Sequence, residues 1–116
     1  MERTIFNFIG DFMQGEILRF SGKVTGAASQ TLLIPGVAGK IINIKRVLPS
    51  ASAASTFRLQ DDSTVPQALT AIHELVAGIN IPLQYDRSSK TAAGKGVTIT
   101  TSAGNVAVDI EYWLEP

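Results

Sequence analysis

The sequence has no cysteine, one histidine and one tryptophan, and its ten basic and ten acidic residues cancel. Without cysteine there is no disulfide framework, thiolate nucleophile or sulfur-ligated metal site. His73 alone cannot build a multi-histidine metal centre, and the common zinc sites are excluded. A Ser-His-Asp triad would have to use His73, but no Gly-x-Ser-x-Gly elbow accompanies it, so a packing or exposed histidine is expected. Zero net charge lacks the basic excess of nucleic-acid binders. No segment approaches the roughly 20 apolar residues that span a bilayer, so no membrane partner is expected. Met1-Glu2-Arg3-Thr4 is not a positive leader and no long apolar run follows before Asp11, so no cleaved signal peptide is expected.

What is present is apolar. Of 116 residues, 45% are hydrophobic and 17% charged, the latter below the roughly 25% of ordinary soluble domains. That length suits one domain, here 1–116, with enough chain to bury a core unaided. Few charges and no net charge favour association, so the apolar excess reads either as a large core or as burial in an assembly.

Strand patterns dominate. In Val106–Leu114, residues Val106, Val108, Ile110, Tyr112 and Leu114 share one face while Asp109, Glu111 and Trp113 share the other, the pattern of a half-buried antiparallel strand. Val97–Thr101 alternates likewise, and Ser102-Ala103-Gly104-Asn105 between them predicts a hairpin. Further strands are expected at Gln30–Ile34, Lys40–Leu48, Ser55–Gln60 and Ile79–Gln84, separated by Gly/Ser/Pro/Asp-rich turns. Short strands at this spacing indicate an all-β antiparallel sandwich or barrel, and the sandwich is the expected fold. Between Pro66 and Val76, the residues Leu69, Ile72, Leu75 and Val76 fit a helical stripe or a strand, and periodicity alone leaves both open.

Four of the five phenylalanines, Phe6, Phe8, Phe12 and Phe20, lie in the first twenty residues. Residues 4–9 and 16–24 read as two strands. They either seal the core as a strand pair, or residues 1–24 form an arm that lays apolar side chains on a neighbouring subunit, leaving 25–116 as the sandwich.

Candidate chemistry is sparse. Asp61-Asp62-Ser63-Thr64 lacks the alternating oxygens and closing glutamate of a calcium loop and reads as a turn. Gly94-Lys95-Gly96 lacks the rest of a phosphate loop. Asp109 and Glu111 lie about 7 Å apart along one strand face and read as a solvated face rather than a glycosidase pair. No catalytic, cofactor-binding or metal residues are expected, and the chain is not expected to be an enzyme. Charge is segregated: between Glu16 and Asp61 every charge is positive (Arg19, Lys23, Lys40, Lys45, Arg46, Arg58), and Asp109, Glu111 and Glu115 make an acidic end. These segments suit complementary faces between identical subunits, or cross-strand pairs within one. Trp113, on the predicted outer face, suits an interface, or a second sheet that covers that face.

The stretch from Ile34 onward resembles the small β-sandwich proteins of tailed-bacteriophage virions, the head decoration and accessory proteins. The residues that carry the resemblance are Pro35–Ile44, the turn Ser50–Ser55, Ala68-Leu69-Thr70, Gly78–Leu83, Thr91–Ser102 and Val106–Leu114. It implies a jelly-roll-like sandwich with Ala68–Leu75 as a strand, and a homo-oligomer, often a trimer, seated on the major capsid protein in the virion. The phenylalanine-rich first twenty residues have no counterpart in that pattern. Phe6, Phe8, Phe12 and Trp113 are the expected apolar anchors, with Arg19, Lys45, Arg46, Asp109 and Glu111 setting orientation. A carbohydrate- or receptor-binding module would need a ring platform, with Trp113, Tyr85 and Tyr112 as candidates; a tail or baseplate component would share the sandwich.

Overall fold

The computed structural model describes residues 17–85 and 89–116. Eight strands follow one another: β1 (Ile17–Thr25), β2 (Thr31–Ile34), β3 (Ile41–Ala51), β4 (Ser55–Asp61), β5 (His73–Leu75), β6 (Leu83–Gln84), β7 (Val97–Thr101) and β8 (Asn105–Glu115). No helix occurs among the described residues. One sheet has the order β1-β8-β3-β6 and the other β2-β7-β4-β5, and every pairing is antiparallel. First pairs with eighth, second with seventh, third with sixth and fourth with fifth, as when one long hairpin is rolled up on itself. That is a jelly roll.

The apolar faces of the two sheets meet. Val24, Ile42, Ile44, Val47, Val106, Val108 and Ile110 come from the first sheet, and Ile34, Phe57, Leu59, Leu75, Val97 and Ile99 from the second. Burying each contributes about 2 kcal/mol. Tyr112 and Leu114 are half-buried against this core, continuing the face that the alternation predicted for β8.

The hairpin expected between β7 and β8 does not form: the two strands belong to different sheets. Residues 102–104 instead arch from one sheet to the other. The turns from β1 to β2 and from β3 to β4 also change sheets, and the three arches stack. Gly26 N–H donates to the Gly104 carbonyl (2.6 Å), Ser52 N–H to the Asn105 carbonyl (2.9 Å) and Asn105 N–H to Ser52 Oγ (3.0 Å). The Ser/Ala/Gly composition that reads as hairpin chemistry serves this stacking. A Cβ on Gly104 would lie 3.4 Å from that of Ala53, and Gly26, Gly78 and Gly104 all take positive φ.

At the opposite end, loops cross at close range. A Cβ on Gly36 would overlap the Gly94 carbonyl oxygen, and one on Gly96 the Ile34 carbonyl oxygen. Gly94-Lys95-Gly96 is therefore a close backbone crossing. Asp61 ties the same loops together. It is 0% exposed, and Oδ1 accepts from the N–H groups of Ser63 (3.2 Å) and Gln67 (2.9 Å), while Oδ2 accepts from Ala92 N–H (3.1 Å). Burial pushes its pKa up, but the backbone donors outweigh that and hold it below the ordinary aspartate value.

Two expected strands are cut short. From Ala68–Leu75, only a bridge from Ala68 to Gln60 and the three residues of β5 pair with β4. From Ile79–Gln84, only β6 remains.

Candidate interaction surface

β1 is not free of the sandwich. It pairs with β8 along its whole length, from Ile17 opposite Trp113 to Thr25 opposite Asn105, and forms the edge of its sheet. The expected strand at 4–9, and Phe6, Phe8 and Phe12 with it, lie outside the described residues.

The charged candidates gather on the outer face of the first sheet. A bulge in β3 between Ile44 and Arg46 makes Lys45 an extra residue, so two cations face one carboxylate. Lys45 Nζ lies 3.5 Å from Glu111 Oε1, and Arg46 Nη2 lies 3.2 Å from Glu111 Oε2. Arg19 is exposed on β1, opposite Glu111 in register. Asp109 accepts a hydrogen bond from Ser21 Oγ on β1. Nearby, Asn43 Nδ2 donates to Glu115 Oε2 (2.7 Å) and Lys90 Nζ lies 3.4 Å from Glu115 Oε1. Within the subunit, then, Lys45 and Arg46 of the basic segment meet Glu111 of the acidic end as cross-strand pairs.

Trp113 departs from the exposed-interface expectation. It lies off the core face, as the alternation requires, yet it is only 5% exposed and stands outside the main core cluster. Burial removes it as an exposed anchor. Tyr85 and Tyr112 are half-buried against the core, and burial raises the pKa of both. None of the three rings offers a glycan a bare platform.

While Ile17, Leu32, Val37 and Val65 are exposed at other places, exposed apolar side chains gather at the edge where β5 ends one sheet and β6 ends the other. Ile72, Val76, Ile79 and Ile81 are each at least half exposed there. With Pro49, Leu75 and Leu83, three of these four (Val76, Ile79 and Ile81) line a groove of about 250 Å³. His73 sits in its wall, stacked on Phe57 with centroids 5.5 Å apart and with Nε2 3.1 Å from Tyr85 Oη. The histidine is a packing residue. Nothing local in the sequence marks this edge, because Ile79 and Ile81 read as one face of an ordinary strand.

No family model matches the sequence, and no curated protein matches it. Among solved structures, one similar chain belongs to a virus-like particle of the extra small virus of the giant freshwater prawn Macrobrachium rosenbergii. Identity is 15%, the match covers 86% of this chain and 80% of that one, and the TM-score is 0.36. A superposition this loose carries no functional argument.

Proposed function

We propose that this chain is a structural subunit of a virus particle, a decoration protein that binds the outside of a bacteriophage head and reinforces it by bridging subunits. One observation carries the reading: a jelly roll in which Lys45 and Arg46 pair with Glu111 inside the chain leaves Ile72, Val76, Ile79 and Ile81 exposed together at one edge. Exposed apolar side chains gathered in this way mark contact surfaces. The resemblance of the segments from Ile34 onward to virion accessory proteins supports the same assignment. In this reading the work is burial of apolar area, and the chain catalyses nothing.

The test is co-sedimentation of the full chain with purified heads of the encoding virus that lack it, followed by heating. Saturable binding that raises the temperature at which heads release their contents is expected. Absence of binding would exclude decoration. Closed shells formed by the chain alone would make it a shell subunit instead.

A further inference from the structure

We propose that the groove between β5 and β6 receives residues 1–16 of a neighbouring copy of this chain. This deepens the assembly reading and rests on it only for the presence of neighbouring copies.

The first argument is chemical. The groove of about 250 Å³ is mostly apolar, lined by Pro49, Leu75, Val76, Ile79, Ile81 and Leu83, with His73 and Glu74 as its polar members. Residues 1–16 hold Ile5, Phe6, Phe8, Ile9, Phe12 and Met13. Phenylalanine supplies the most area per residue for such a site. β5 and β6 are three and two residues long and end their sheets. Edges this short offer little backbone ladder, so a partner is held by side chains in the groove, with a few strand-addition hydrogen bonds.

The second argument is positional. Residues 1–16 enter the fold at Ile17, on β1, and β1 and β6 are the opposite edges of one sheet with β8 and β3 between them. At about 4.8 Å per strand, the two edges are about 14 Å apart. The direct path to its own groove would lay phenylalanines across the outer face that carries Arg19, Lys45, Arg46 and Glu111. A neighbour placed edge to edge brings donor beside acceptor without that crossing. Sixteen residues span up to about 53 Å extended, ample for the step. Because donor and acceptor edges face opposite ways, the exchange is head-to-tail, and it closes as a ring or runs on as an open chain.

The absence of native cysteine makes the test clean. Full-length Phe8→Cys chains are mixed with Ile81→Cys chains and oxidised. A mixed disulfide is expected at least about tenfold above that of Phe8→Cys with Val65→Cys, an exposed loop position, because docking raises the effective concentration of the paired thiols. In parallel, light scattering compares the parent with Val76→Asp/Ile81→Asp, whose substituted side chains are exposed, with circular dichroism as the check that the double variant keeps the parent's strand signal. The parent is expected to be an oligomer and the double variant a single chain.

A monomeric parent at high concentration would overturn the proposal, as would an oligomer indifferent to the aspartates. So would an intrachain disulfide in a monomeric Phe8→Cys/Ile81→Cys chain, which would mean that the segment fills its own groove. None of these readouts uses a viral head. Rings that exchange arms yet ignore heads would refute decoration and leave this proposal standing.

Discussion

Replacing Asp61 with asparagine removes one charge from a fully buried site and leaves the side-chain shape almost unchanged. The amide oxygen can keep the N–H groups of Ser63 and Gln67, but the amide NH₂ then faces the Ala92 N–H, donor against donor. Losing one charge-assisted hydrogen bond and orphaning its donor costs about 3 kcal/mol, against a total stability of about 5–15 kcal/mol for a domain. With a urea slope of about 1–1.5 kcal/mol per molar for a chain of this size, the midpoint should fall by about 2–3 M. The assay is urea unfolding followed by the fluorescence of Trp113, which is buried in the folded state. The pH dependence gives a second check. The folded carboxyl lies below the ordinary value of 3.8, so its stabilisation is complete above that value and disappears as pH falls through the folded pKa. Parent and variant should therefore converge in strong acid. A gap under about 0.5 kcal/mol at neutral pH would refute the reasoning, and so would a gap that stays constant into acid.

Gly36→Ala should destabilise the fold by more than Gly39→Ala, measured by urea midpoint. The first sets a methyl against Gly94 backbone, whereas the second meets open space and carries only the positive-φ cost of about 1–2 kcal/mol. Glu111→Gln should cost under about 1 kcal/mol, and that difference should shrink as sodium chloride is added, because the Lys45 and Arg46 partners are part-exposed. Its solution mass should match the parent's, since this carboxylate is paired within the subunit. Phe57→Ala should lose about 3–5 kcal/mol, seen as a lower melting temperature, because the ring is fully buried and also supports His73.

The strands with strong alternation were legible in the sequence. β8 shows its core face residue by residue, and β3, β4 and β7 fall where β-branched runs lie between turn residues. Which sheet each strand joins was not legible. Ser102–Asn105 suits a tight hairpin and an arch equally well, and the choice depends on Ser52 and Gly26, far away in sequence. Alternation also places Trp113 off the core face correctly while saying nothing of what covers it. The pairing of Lys45 and Arg46 with Glu111 was one of two readings of the charge segregation; the bulge that realises it has no local signature. β5 and β6 are too short for any period to register, so the exposed edge they border was hidden inside two expected strands. Asp61 reads as the first residue of a turn, but it is the last residue of β4, paired with Val97. Its role as a buried anchor depends on Ala92, some thirty residues on.

The rolled-up pairing also governs how this chain can fold. β1 meets β8 across nearly the whole sequence, and β8 lies between β1 and β3, at the interior of its sheet. Among the described residues, β4 and β5 are the only consecutive strands that pair, over three positions, so little can form early as a local unit. Large loops must close before the contacts that reward them exist, which makes for slow acquisition of structure. During synthesis, β1 and β3 wait with edges exposed until residues through Glu115 are available to fill the gap between them. Chains shortened within β8 should therefore aggregate rather than fold partially.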